Sequence, residues 1–209
     1  MTTSEEWSVN FDILYNNISS NQAPGLTEYE KSVFLTQAQE AVILDLYKGT
    51  SGDAFETTEE VTRYLSSLVT TAAPKQNKSI TQPISSCKIY KFNLPENVWF
   101  VTYQSGSVKI ENNKRDVLVV PSKQDSLFKD LNNPFRGPNQ NKVLATTEDG
   151  GITLYSKYDL DTFYIKYLKR PIAINLELPE AEFSVEIPES LHNQVLYKAV
   201  QLAKAVWQS

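Results

Sequence analysis

Hydrophobic positions change their period along this chain, dividing it into a helical start, a strand-rich middle and a helical end. Near the end, Leu191, Val195, Ala199, Leu202 and Val206 run beside Leu196, Val200, Ala203 and Trp207. Both rows recur at three and four residues, the spacing of a helical face, and predict a helix from Glu189 to Trp207. Together they cover about half the circumference at roughly 100° per residue, too wide for one neighbour and suited to burial among several helices. Pro188 fits the first turn, where its missing N–H costs nothing.

The helices able to cover that face lie before residue 71. Ser4 can cap a helix that buries Trp7, Phe11, Leu14, Tyr15 and Ile18 on one narrow arc. Asn21 to Leu26, with Pro24 and Gly25, breaks it. Thr27 followed by Glu30 reads as a capping box, in which hydroxyl and carboxylate each satisfy an orphan backbone N–H. The helix it opens runs to Lys48, and its second half is apolar nearly all round. Thr57 and Glu60 repeat the box ahead of a third one-sided helix bearing Val61, Tyr64, Leu65, Leu68 and Val69. The last helix is expected to return to these three.

Thr70 to Pro83 is polar and lacks apolar periodicity, which predicts a connector. Beyond it the period shortens to two. Lys88 to Phe92 alternates, Val98 to Tyr103 is an unbroken run of β-formers, and Val117 to Val120 stops at Pro121. Asp149-Gly150-Gly151 between Lys142 to Thr147 and Ile152 to Tyr155 is a hairpin signal. Thr162 to Leu168 is a further strand, and residues 122 to 131 can hold a short helix with Leu127, Phe128 and Leu131. From Ile174 to Ile187, Ile174, Leu176, Leu178, Phe183, Val185 and Ile187 alternate with polar residues, as in an extended arm or edge strands. The expected fold is α+β. A four-helix bundle of residues 1–72 and 188–209 carries an inserted, mostly antiparallel β domain of residues 84–187 with its arm.

Composition narrows the function. At 209 residues with 41% hydrophobic and 22% charged content, the chain is of soluble globular type with a sizeable core. A net charge of -5 argues against general nucleic-acid binding, which needs clustered Lys and Arg. Cys87 is the single cysteine, so no disulfide framework forms within the chain, as suits a reducing compartment. Met1 to Trp7 is polar and acidic, unlike a signal peptide, and no apolar run approaches membrane-spanning length.

Candidate catalytic chemistry is sparse. His192 is the one histidine, and it falls in the apolar arc of the last helix, where a packed helix-start residue is the simpler role. Cys87 opens a strand with nothing beside it in sequence to lower its pKa, and reads as structural. No paired Cys or His spacing suggests zinc, and Asp159-Leu160-Asp161 lacks the glycine and terminal Glu of a calcium loop. Glu28, Glu30, Glu59 and Glu60 suit helix first turns. No catalytic residue, metal or cofactor is expected. What stands out is Asn132-Asn133-Pro134-Phe135-Arg136-Gly137-Pro138-Asn139, a polar loop stiffened by proline. It either presents Phe135 and Arg136 to a partner or folds Phe135 back onto its own sheet.

Three stretches carry a family resemblance: Asn21-Gln22-Ala23-Pro24-Gly25-Leu26-Thr27-Glu28-Tyr29-Glu30-Lys31, Asn133 to Pro138, and Tyr164-Ile165-Lys166-Tyr167-Leu168-Lys169-Arg170-Pro171-Ile172. A fourth runs from Leu178-Pro179-Glu180 to Leu191-His192. With the order of elements, they resemble the head-to-tail connector, or adaptor ring, proteins of tailed bacteriophages, most of all the ring proteins of crAss-like phages. Podovirus tail tubular protein A is similar in outline. The resemblance implies a homo-oligomeric ring, a dodecamer in the family, beneath the portal protein at the virion neck. Such a ring is assembled in the host cytoplasm, carries other tail or ring proteins and passes genomic double-stranded DNA without reading its sequence. The expected contact residues are Asn133, Pro134, Phe135 and Arg136 on the loop, Phe183 and Val185 on the arm, and Trp207 at the end of the last helix. The long C-terminal tail with which some connectors climb onto the portal has no counterpart here. Alternatives are another virion ring or minor capsid protein, or an intracellular enzyme of unrecognised type.

Overall fold

The computed structural model describes residues 3–18, 25–49, 59–76, 80–84, 86–111, 113–148 and 150–207. It is α+β, and its contacts fall into two units: Met1–Leu68 with Arg170–Ser209, and Val69–Lys169.

In the first unit, α1 (Ser4–Ile18), α2 (Glu28–Lys48) and α5 (Glu189–Trp207) are the long helices. α5 packs chiefly on α2 and also on α1. It buries Leu191, Val195, Leu196, Ala199, Val200 and Ala203 against a core that includes Trp7, Phe11, Leu35, Ala38 and Ile43. Both apolar rows are therefore used, except at the far end, where Val206 is exposed. The capping box of α2 forms as the sequence predicts, Glu30 N–H donating to the Thr27 hydroxyl and Thr27 N–H to the Glu30 carboxylate. α1 departs from expectation. Its box is set one residue earlier, between Thr3 and Glu6, and Ser4 instead donates to Glu180.

The expected third helix is short. α3 (Glu59–Leu65) runs into a 3-10 turn at Ser66–Leu68, and Val69 already begins a strand. Among the described residues the unit is thus three long helices and one short one, not four comparable members of a bundle. The Thr57 cap lies outside the described residues.

The second unit is a nine-stranded sheet: β1 (Val69–Ala72), β2 (Lys75–Gln76), β3 (Ile80–Ile84), β4 (Cys87–Asn93), β5 (Val98–Ile110), β6 (Asn113–Pro121), β7 (Lys142–Glu148), β8 (Gly151–Ser156) and β9 (Asp159–Lys169). Their order is β1-β9-β5-β6-β7-β8-β4-β2, with β3 also on β4. Every pairing is antiparallel except β6 with β7. A parallel pair needs a crossover, and residues 122–141 supply it. The crossover holds α4 (Leu127–Asn132), whose Leu131 packs with Cys87, Ile89, Leu144 and Tyr155. Alternate residues of β4, β7 and β8, such as Phe92, Val143 and Leu154, face the larger cluster on the other side. These strands are buried on both faces, so the helix covers what would be bare sheet. The β7–β8 hairpin closes through Gly150, whose φ of 72° is a left-handed conformation that glycine adopts without strain.

Two segments differ from expectation. The stretch read as a connector from Thr70 contains β1, β2 and β3. These flanking strands join the sheet through backbone bonds to β9 and β4, which need no apolar pattern. Residues 174–187, read as an arm of the β domain, form no strand and group with the helices. Ile174, Leu176 and Ile187 are buried. Their backbone is held by a row of polar side chains on α2. Leu176 N–H donates to the Ser32 hydroxyl at 2.9 Å, Ile174 N–H to the Thr36 hydroxyl at 3.1 Å, and Gln39 Nε2 to the Ile172 carbonyl at 2.9 Å. Positions 32, 36 and 39 lie on one helical face, so the row takes the place of a neighbouring strand.

Candidate partner-binding surfaces

The Pro-framed loop after α4 is stiff for reasons its residues make plain. Asn133 Oδ1 accepts from Phe135 N–H at 2.8 Å and from Arg136 N–H at 3.1 Å, an Asx-type turn. Gly137 N–H returns to the Asn133 carbonyl at 2.7 Å, and Lys142 Nζ reaches the Phe135 carbonyl at 3.1 Å. A Cβ at Gly137 would stand 2.7 Å from the Asn133 oxygen, so glycine is required for this closure. The loop turns Phe135 outward, 89% exposed. It does not fold back onto the sheet. Pro134 and Arg136 are exposed with it, Arg136 within 3.9 Å of Asp130.

Other apolar residues accompany it in the same unit. Phe128 on α4 is exposed, and so is Leu118, which pairs with Lys142 across β6 and β7. Neither is marked as a surface residue by its neighbours in helix 127–132 or strand 113–121 alone. The place of Leu118 between Val117 and Val119, which strand alternation sends the other way, sets it on the opposite face without saying which face is covered.

In the helical unit, Phe183 and Val185 are half-buried beside Thr3, Glu180, Ile187 and His192. The loop that carries them is pinned by Glu180, whose carboxylate accepts from the Ser4 N–H at 3.0 Å and hydroxyl at 2.8 Å. A carboxylate at a helix N-terminus complements the helix dipole. Trp207 occupies the last position of α5, and its side chain lies outside the described residues. The structure thus gathers Asn133 to Arg136 in one loop and Phe183 with Val185 in another.

Two ionisable groups are explained by packing. Lys31 is buried between α1 and α2, its Nζ 2.7 Å from Asp12, 3.1 Å from Glu28 and 3.0 Å from the Ser8 hydroxyl. Burial opposes its charge, but the bonds it donates to Asp12 and Glu28 outweigh that and hold its pKa above the ordinary lysine value. The His192 ring lies 4.8 Å from that of Trp7, tilted by 53° to it, and sits 3.2 Å from the Ile187 carbonyl. Burial pushes its pKa below the usual imidazole value despite that bond. Among the described residues, no three His, Cys, Asp or Glu stand together to hold a metal, and no helix is long and apolar enough to cross a membrane.

Comparison with known proteins places this architecture. The family described as phage tail ring protein 3/4 matches residues 1–209. The chain belongs to this family. It is 35% identical to Ring protein 3 of Bacteroides phage crAss001, covering 96% of this chain and 94% of the relative. It is 26% identical to Ring protein 4/5 of the same phage, over 97% and 92% respectively. The resemblance to crAss-like phage ring proteins therefore extends over nearly the whole chain.

Proposed function

We propose that this chain forms a homo-oligomeric connector ring at the virion neck, joining the portal protein to the tail and continuing the channel for the genome. Twelve copies, matching the family expectation for such rings, surround double-stranded DNA that passes without sequence-specific contact. Assembly occurs in the host cytoplasm, and other tail or ring proteins stack on the ring. The observation that carries this reading is the whole-chain match to a phage tail ring family. Rigid presentation of Phe135 supports it, because preformed aromatic anchors lose little freedom on binding. The net charge of -5 supports a conduit, since acidic walls repel phosphate. The contact residues under this reading are Asn133, Pro134, Phe135, Arg136, Phe183, Val185 and Trp207.

Electron microscopy of intact particles tests it. The expected result is a closed ring of this chain, directly against the portal and coaxial with the channel. Placement farther down the tail, without portal contact, would instead favour a tail or stopper ring, the reading closest to the family description. A position away from the channel axis would end both.

A further inference from the structure

Two surface features are opposite in shape. One is the Phe135–Arg136 knob. The other is a shallow, largely apolar groove of ≈ 430 Å³ in the helical unit, between α2 and residues 170–177. Tyr29, Val33, Thr36 and Ala173 line it, with Glu40 and Glu177. Tyr29 is 64% exposed, an unusual position for an aromatic ring with a free apolar neighbour in Val33. Charge distinguishes the two features as well as shape. The crossover around the knob, together with Lys142 at the start of β7, carries four basic residues, Lys123, Lys129, Arg136 and Lys142, against Asp125 and Asp130, in a chain whose net charge is -5. The groove is acidic on balance: Glu40 is paired with Arg170 at 2.8 Å, whereas Glu177 has no ion pair among the described residues.

A closed ring of identical chains uses two different patches, one on each side of every subunit, and the two must complement each other. We infer that Phe135 of one copy seats against Tyr29 and Val33 in the groove of the next copy, with Arg136 beside Glu177. This deepens the ring reading above and rests on it. The aromatic ring is the anchor, removed from water by the groove, and the guanidinium supplies the register. A second copy is the fitting occupant because every copy carries both the basic knob and the acidic groove. Asn133, Gly137 and Lys142 hold the loop through its backbone and leave the Phe135 side chain outside its own core, while Arg136, 3.9 Å from Asp130, would exchange that partner for Glu177.

Cysteine pairing in assembled particles tests the contact. Phage carrying this chain with Phe135→Cys and Val33→Cys together would be oxidised and run on a non-reducing gel. Native Cys87 is buried and does not compete. The expected result is a ladder of self-linked chains that neither single variant gives. Phe135→Ala should lower incorporation into particles by about tenfold or more while leaving the unfolding midpoint of the isolated chain unchanged. If microscopy shows the ring but the ladder is missing and Phe135→Ala incorporates normally, this contact is wrong and the ring reading stands. Linkage of the position-135 variant to a different virion protein overturns the choice of a second copy. If the chain forms no ring at all, the ring reading falls and takes this contact with it.

Discussion

The helical unit and the strand unit solve the same problem, burying an apolar interior, by opposite means. In the strand unit each strand is joined to its neighbours by ladders of backbone hydrogen bonds, and the crossover helix covers the second face of β4, β7 and β8. The helical unit draws together stretches from both ends of its sequence, and α5 meets α2 across most of the chain. Where an irregular segment runs through that interior, its N–H and C=O groups have no strand beside them. Ser32, Thr36 and Gln39 supply the missing partners from the side of a helix. A single polar side chain there satisfies what a whole strand satisfies elsewhere, so the helical unit should be more sensitive to small chemical changes.

The largest effect should come from ending the chain at Pro188. Without α5, Leu35, Ile43 and Phe11 lose their principal cover, and far-UV circular dichroism should show loss of most helical signal while the β signal survives. Full retention of helix would refute the dependence of α1 and α2 on the chain's end. Next, Leu35→Ala removes a fully buried side chain and should cost about 3 kcal/mol, measured by urea unfolding, as should Leu154→Ala in the sheet. Equal losses would mean the two interiors are equally well packed, and the contrast would then lie in the polar groups alone. Thr36→Val keeps the shape but removes both hydrogen bonds to Ile174, and should cost about 1–2 kcal/mol. A cost near zero would show that water replaces the hydroxyl.

The smallest effect concerns pH. His192 has its folded-state pKa depressed by burial, so the unfolded chain takes up a proton first as pH falls. Its contribution is fully present above the unfolded value near 6.5 and is lost as pH drops through the lower folded value. Between about pH 7.5 and pH 5, the urea midpoint should fall more for the native chain than for His192→Gln. Equal falls would show that His192 is not the source of the acid sensitivity in this range, since a carboxylate such as Asp159, its pKa lowered by its bond to Lys88, acts only at lower pH.

Much of this could be seen in the order of residues. The Thr27 and Glu30 box, the two rows of α5 and the Gly150 hairpin depend on neighbours within four residues, and local chemistry decides them. The Asn133 to Pro138 loop was visible as proline and asparagine chemistry, yet nothing local could say whether Phe135 points in or out. The short strands from Val69 carry no local signal because pairing, not patterning, makes them strands. The 174–187 segment misled for the converse reason, since its alternation resembles a strand while its partners are side chains on a distant helix.

By itself, then, the sequence determined the long helices, the central strands and the turns between them, because those choices are settled by backbone sterics, capping groups and hydrophobic period over a few residues. Only the tertiary structure decided that Ser32, Thr36 and Gln39 face an extended segment more than a hundred positions away, that Glu180 caps a helix opened by Ser4, and that Phe135 stands in water. Each of those depends on which surfaces meet, and that is fixed by the packing of the whole chain, not by any short run within it.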